Sequence, residues 1–562
     1  MSRSILPLWV EELARQYYAG RTALFILHGN VHDYIWYEGK AYMPRDFYAS
    51  VLFRRRELVF FYNRASGLFA RDEAAHRDLQ TFSGERGGLP RSPAELFPLL
   101  HLYFQQRLKE RRRIAFIIEF GEILIPNTGS YAASAEERIT LLYLLQWAQS
   151  PLFIQSDITI ILLAESLSEL HPKLIANPHL SSIRIAYPTA EERYAFIRHQ
   201  IEVRPSVSEK SGGVSIHVLT LATGGLTLIQ IEKLLAEIAE SPAPWSEGQL
   251  MQRKQQLVEA QAGGLLEFMR TDLTLDAVAG HHAAKAYLRA LVRALKEGHT
   301  EVVPMGFLIT GPVGTGKTFL LRCFAGELGM PMVQLKNFRS KWVGETEANL
   351  ERLLALLEAL APIAVFIDEA DTQLGGRERE GDGGVSARVF GRLANFMSDP
   401  RHRGRILWFL ATARPDLLPV DIKRQGRAEE HIPLFPPTTP QEKREVVTHI
   451  AHRLGLSALE LPASDEFWEK IPAFSGAEWE AILTRARFVC LTHGRSTPVW
   501  ADVEAALSDF LPPNYPEEVA YMTYLAVLEC TRRSFLPPVY QNLRREEVFA
   551  QLSTLRENMR GS

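Results

Sequence analysis

Gly311-Pro312-Val313-Gly314-Thr315-Gly316-Lys317-Thr318 stands between the apolar run Gly306-Phe307-Leu308-Ile309-Thr310 and the stretch Phe319-Leu320-Leu321. A short apolar run, a glycine-rich turn and a second apolar run read as strand, loop and helix, the context of a phosphate-binding loop. Glycines at 311, 314 and 316 let the backbone from Gly311 through Pro312, Val313 and Thr315 wrap a triphosphate, with N–H groups from each of these except Pro312. Lys317 reaches the terminal phosphates, the Thr318 hydroxyl can hold a magnesium ion, and Phe319 follows in the first helical turn. The ligand this implies is a nucleoside triphosphate with Mg2+.

Downstream, Ile363-Ala364-Val365-Phe366-Ile367-Asp368-Glu369 is an apolar strand ending in two acids. Alone, two acids after a strand are ordinarily a helix cap. Beside a phosphate loop, Asp368 can hold the magnesium and Glu369 can polarise a water for in-line attack on the γ-phosphate.

The rest of the composition sets limits. A chain of 562 residues is too long for one core, and 46% apolar with 23% charged residues excludes wholesale disorder. A net charge of −3 gives no overall pull toward nucleic acid or anionic lipid. The clusters Arg54-Arg55-Arg56 and Arg111-Arg112-Arg113 border apolar runs and read as solvated helix ends. Cys323, Cys490 and Cys530 have no partners at metal-ligand spacing and read as reduced core residues of a cytoplasmic protein. The start Met1-Ser2-Arg3-Ser4-Ile5-Leu6-Pro7 has no secretory apolar region, and no apolar run reaches the roughly 18 residues of a membrane span.

Two α/β regions alternate with helical ones, giving the same order twice: parallel-sheet domain, then helical lid. The expected boundaries are an α/β domain over 1–188, a lid over 189–248 and a linker helix over 249–270. A second α/β domain then takes 271–435, a second lid 436–511, and a docked helical extension 512–562.

The second half resembles the AAA+ ATPases. Val278-Ala279-Gly280-His281 through Lys285 is similar to the segment that family places beside the adenine ring, and Ala411-Thr412-Ala413-Arg414-Pro415-Asp416 resembles the sensor-1 strand end. Arg424-Gln425-Gly426-Arg427 resembles the element whose arginines reach a neighbouring subunit, and Ser475-Gly476-Ala477-Glu478 the start of the sensor-2 helix. The resemblance implies ATP as substrate, Gly280 at the base, Arg424 and Arg427 as arginine fingers, and a homo-oligomer, expected as a hexamer. The family's sensor-1 Asn is replaced by Ala413, so Thr412 or Arg414 substitutes for it, or turnover is slow. Trp342 and Val343, in Ser340-Lys341-Trp342-Val343-Gly344-Glu345, match the loop with which AAA+ unfoldases grip a threaded polypeptide. A buried Trp342 is the alternative. The run Gly375 to Gly384, followed by Val385-Ser386-Ala387-Arg388, resembles the poorly characterised plastid and cyanobacterial AAA proteins; it is a second pore ring or a plain connector.

In the first half, His28-Gly29-Asn30-Val31-His32-Asp33-Tyr34 follows the first strand without a Gly-Lys-Thr. The strand Ile114 to Glu119 continues with Phe120 rather than a second acid, and Leu174 to Tyr187 has no arginine-finger pattern. Leu163-Ala164-Glu165 to Pro172 still resembles the sensor-1 to lid stretch, so the region is expected to be a degenerate, non-hydrolysing AAA+-like module, with an unrelated α/β domain as the alternative. His28 and His32, four apart without a third ligand, read as a structural pair rather than a metal site. The function expected is an ATP-driven motor acting on a protein substrate. The alternatives are a nucleotide-gated scaffold or, with little basic charge near Trp342, a nucleic-acid motor.

Overall fold

Runs of apolar residues buried on both faces need helices above and below them, and the chain builds two such sheets. In the computed structural model, which describes residues 6–20, 22–84, 89–127, 133–336, 346–375, 385–511 and 515–561, the chain forms two compact units. The first holds the described residues of 1–262 together with 346–360, and the second the other described residues.

The first unit has strands β1 (Leu24–Gly29), β2 (Leu58–Asn63), β3 (Gly67–Ala70), β4 (Ile114–Ile118), β5 (Ile158–Ala164) and β6 (Leu180–Ile185). They lie in the order β6-β1-β5-β4-β2-β3. All neighbours are parallel except β3, which returns from β2 as an antiparallel edge. Every residue of β2, β4 and β5 is buried, as a doubly covered parallel sheet requires. One face packs an aromatic cluster in which Phe97 stacks on Trp147 at 5.2 Å and Phe104 meets Phe116 at 5.6 Å. Burying each such ring contributes about 2 to 3 kcal/mol. Of the two arginine clusters, Arg54, Arg55, Arg111 and Arg113 are exposed just beyond helix ends, as read, while Arg56 and Arg112 are partly buried. Arg56 donates to the Asp157 carbonyl at 2.8 Å and to Thr159 at 3.0 Å, and Arg112 and Arg113 pair with Glu57, tying strand ends together.

The helical part of this unit follows Pro188. Helices Ala190–Val203, Leu228–Glu240 and Glu247–Gln261 each start on a capping box, from Thr189, Thr227 and Ser246. The segment read as a linker helix holds the helix Glu247–Gln261, which buries Leu250, Lys254 and Val258 and pairs Arg253 with Glu237. The helix Thr346–Leu360, expected inside the second α/β domain, also belongs to the first unit. Glu351 accepts from Ser166 and Ser168, Arg352 pairs with Glu169 at 2.8 Å, and the Leu360 side chain lies against Gly225.

The second unit has strands β7 (Leu266–Phe268), β8 (Gly306–Thr310), β9 (Met332–Leu335), β10 (Ile363–Ile367), β11 (Ile406–Thr412) and β12 (Glu430–Pro433). Their order is β12-β8-β11-β10-β9-β7, again parallel except for the edge strand β7. Thr310 pairs with Thr412 and Ile367 with Leu410, so the carboxyl ends of β8, β10 and β11 lie side by side. Ligands of open parallel sheets bind at such ends. Behind them, Phe307 stacks on Phe409 at 4.7 Å. A lid of helices Pro440–Arg453, Asp465–Lys470, Gly476–Thr492 and Trp500–Asp509 has its own core around Trp468, Trp479 and Trp500. Helices Pro516–Glu529 and Arg545–Gly561 pack together against Phe435 as a docked C-terminal extension. Among the described residues no helix is long and apolar enough to cross a membrane.

Candidate functional site

The loop after β8 has the backbone that its glycines require. Gly311, Gly314 and Gly316 have φ of 140°, 81° and 85°, and a Cβ on Gly311 would lie 2.1 Å from the Leu434 carbonyl oxygen. A Cβ on Gly314 would meet Ser475 Oγ at 2.7 Å, so loop and lid are closely apposed. Thr315 donates to the Pro312 carbonyl at 2.9 Å, and the helix Lys317–Leu328 begins at Lys317. Lys317 Nζ donates to the carbonyls of Gly311 and Pro312, each at 2.8 Å. Burial lowers its pKa to about 8, with Asp368 and Asp371 pulling the other way.

Thr318 Oγ1 lies 2.9 Å from Asp368 Oδ2, so two hard oxygen donors converge beside the loop. This fits magnesium, which takes few protein oxygens and completes its shell with phosphate and water. Glu369 is exposed and stands just before the next helix, Ala370–Leu374, with a left-handed backbone of φ 44° and ψ 49° and no side-chain bond to that helix. That conformation turns the chain immediately beyond the strand end.

The cavity at this edge measures about 650 Å³. Gly314 to Phe319 form one side, the turn from Ala277 to Ala284 another, and Val446, His449, Gly476 and Ala477 of the lid face them. Gly280, with φ 63°, gives its N–H to Glu445 at 3.1 Å. His281 bonds the Thr315 carbonyl at 3.1 Å, which makes that ring nitrogen the donor, and burial lowers its pKa to about 4. A neutral imidazole thus braces the phosphate loop. Sequence reading quoted His281 only as part of a segment; its offset of 34 residues from Thr315 carries no local signal.

In the sensor-1 region both polar neighbours of Ala413 have partners within the unit. Thr412 donates to Asp371 at 2.6 Å and accepts from the Arg414 N–H at 2.8 Å. Arg414 pairs with both oxygens of Asp416 at 2.9 Å and lies 5.3 Å over Tyr521. The two arginines of the finger motif also separate. Arg424 is exposed, whereas Arg427 is only 4% exposed and donates to the Asp421 carbonyl at 2.6 Å. Trp342 and Val343 lie outside the described residues, as does most of the loop from Gly375 to Gly384.

At the matching edge of the first sheet, Gly29 keeps the close approach: φ is 100°, and its Cβ would lie 2.5 Å from the Ile185 carbonyl oxygen. The chain then closes at once, Val31 N–H bonding the Gly29 carbonyl at 2.8 Å. Asp33 accepts from the backbone N–H of Leu228 at 2.9 Å and Ile229 at 3.0 Å, the first residues of the lid helix, and from Asn30 and Tyr34. Phe120 stands where the second acid would, with φ 57° and ψ 52°, and His32 stacks on it at 5.2 Å and approaches Glu165 at 3.7 Å. Among the described residues no cluster of three or more His, Cys, Asp or Glu has metal-binding geometry.

Comparison with known proteins follows this division. Residues 2–186 match the family model described as "AAA+ chaperone, N-terminal Rossmann-like domain", and 191–263 "AAA+ chaperone, second helical domain". Residues 307–435 match "ATPase family associated with various cellular activities (AAA)". The chain is 32% identical over 250 residues to ATP-dependent zinc metalloprotease FtsH 2 of Salinibacter ruber, covering 42% of this chain and 35% of that one. It is 32% identical over 190 residues to the cell division cycle protein 48 homolog of Archaeoglobus fulgidus, covering 34% and 26%. To an uncharacterized AAA domain-containing protein ycf46 of Guillardia theta it is 25% identical over 375 residues, covering 65% and 70%. The chain thus spans about a third or less of the first two relatives.

Proposed function

From a chain that carries two AAA+-type modules, the second of them an AAA ATPase domain, we propose an enzyme that hydrolyses ATP at the Gly311 to Thr318 loop to remodel a protein substrate. The observation that carries the reading is the Thr318–Asp368 pair at 2.9 Å beside a glycine-formed phosphate cradle. Lys317 and the helix N-terminus hold the triphosphate. Magnesium, when bound by Thr318 and Asp368, supplies charge neutralisation at the phosphates. Glu369 takes a proton from the water that attacks the γ-phosphorus in line, and ADP and phosphate leave.

Arg424, exposed on the β11 to β12 connection, is the finger offered to a neighbouring copy, expected within a hexamer. Arg427 supports that connection from within, because its bond to Asp421 keeps it in its own chain. Trp342 and Val343 are proposed to grip an extended polypeptide, and the protein to work in the cytoplasm. The similarity to chaperone-type domains over 2–263 supports a protein as the substrate. A second reading, a nucleotide-gated scaffold with slow turnover, draws on Ala413, which has no polar side chain, and on Thr412, which is held by Asp371.

Turnover of Mg-ATP by the assembled protein tests this, measured alone, with an unfolded polypeptide and with single-stranded DNA. Stimulation by the polypeptide is expected, and stimulation by DNA alone would reverse the assignment of substrate. Glu369→Gln should keep ATP binding and lose about 10²-fold or more in turnover. A wild-type rate in that variant removes Glu369 as the base.

A further inference from the structure

The cavity beside the phosphate loop has a wall that comes from far along the chain. Ser534, Phe535, Leu536, Pro537 and Pro538, beyond the lid, line it together with the Ala277 to Ala284 turn and Pro433 to Pro437. We propose that this C-terminal segment is the nucleoside wall of the pocket, so that preference for a nucleotide over a bare triphosphate resides in the extension. The proposal rests on reading Gly311 to Thr318 as the triphosphate cradle, since that fixes which part of the cavity is left for base and ribose.

The chemistry of the wall suits that part. Its five residues offer a ring, an aliphatic side chain, two pyrrolidines and one hydroxyl, and no cation that would compete for phosphate. A flat heterocycle gains from such a surface by burying its faces. The wall is also held in place. Arg532 pairs with Glu430 at 2.6 Å, Thr531 also donates to Glu430, and the Arg532 guanidinium lies 4.7 Å over Tyr287. Phe535 meets Tyr287 edge-on at 5.4 Å, and beyond the prolines Tyr540 packs on Phe435 at 5.2 Å. Glu430 opens β12 and Phe435 lies just past its end, so the segment is fastened on both sides of the strand. Two consecutive prolines further restrict it, so little ordering remains to oppose binding.

Displacement of a fluorescent ATP analogue by ATP and by tripolyphosphate, both with Mg2+, tests the wall on the full chain. Ser534→Trp and Leu536→Trp narrow the cavity there without touching the cradle. Each should weaken ATP at least tenfold and leave tripolyphosphate within twofold, with thermal melting like the wild type. On the unmutated chain, hydrogen exchange across 530–541 should slow with ATP and not with tripolyphosphate. ATP affinity within twofold of wild type in both variants, or exchange indifferent to ATP, overturns the wall while the cradle stands. A wild-type chain that binds neither competitor overturns the cradle reading and this wall with it.

Discussion

The two sheets are built on one plan and differ at one edge. Strand for strand, β6-β1-β5-β4-β2-β3 repeats β12-β8-β11-β10-β9-β7, down to an antiparallel edge strand that arrives from opposite directions in the chain. Both keep a glycine whose Cβ position abuts the carbonyl at or next to the neighbouring strand's end, Gly29 at Ile185 and Gly311 at Leu434. Both turn through a left-handed residue after the central strand, Phe120 in one and Glu369 in the other. What differs is what fills the edge. The second sheet opens a glycine-formed loop whose residues Gly314 to Thr318 line a cavity, while the first closes its turn and offers a carboxylate of its own, Asp33, to the lid helix. At this edge the first unit thus satisfies the N–H groups at the start of its lid helix with a carboxyl group of its own.

The largest expected break in this likeness concerns assembly. The second module exposes Arg424 on the β11 to β12 connection, and the first has no such pair between Leu174 and Tyr187. Arg424→Ala should lower turnover by about 10³-fold, the lower range for such fingers, with ATP affinity nearly unchanged. Arg427→Ala should instead lower the melting temperature, because it empties a buried site bonded to Asp421. Steady-state turnover and melting of the two variants side by side check the split; equal kinetic losses with normal melting would restore both as fingers.

Much of this was legible before any coordinates. The phosphate loop and the Asp368-Glu369 pair are local patterns set by spacing within a dozen residues, and the doubled sheet-then-lid order is the succession of many short local runs along the chain. The capping boxes that start lid helices at Thr189, Thr439 and Ser475 are equally local, although the sequence reading did not use them. What escaped is non-local. Asp33 meets Leu228 across 195 residues, and Glu430 meets Arg532 across 102. Neither leaves a periodic trace. Helix Glu247–Gln261 read as a linker helix because its sequence is polar, and packing through only Leu250, Lys254 and Val258 leaves a weak apolar trace. Arg427 looked equivalent to Arg424 because burial of one member of an R-x-G-R pair depends on how the connection folds back.

A middle-sized effect sharpens the contrast between ligand and built-in anion. Burial raises the pKa of Asp33, and four donors oppose that shift. Asp33→Ala strips those N–H groups of their acceptor, which should destabilise the first unit by about 2 to 3 kcal/mol, or about 5 °C for a unit of this size. Calorimetry with and without Mg-ATP reads both sides at once. Saturating ATP should raise the transition of the second unit alone, by mass action. A first-unit transition that also rises with ATP would mean that Asp33 has not replaced a nucleotide.

The smallest effect belongs to Lys317, which the first module lacks. A lysine whose folded pKa lies near 8, below its unfolded value, favours the neutral form in the fold. Its contribution to stability is complete above the unfolded pKa of about 10.4 and is lost as pH falls through about 8. Triphosphate oxygens favour the ammonium form and pull the pKa back up. At pH 9 about nine-tenths of the lysine is neutral, so ATP binding should take up close to one proton and weaken about tenfold relative to pH 7. Calorimetry in buffers of different ionisation enthalpy measures the uptake, after correction for ionisation of the nucleotide itself. Lys317→Arg, charged throughout, should show neither the uptake nor the loss of affinity. A wild-type chain as flat as that variant would mean that Lys317 stays protonated across the range, and burial would then not distinguish this edge of the second sheet electrostatically from the first.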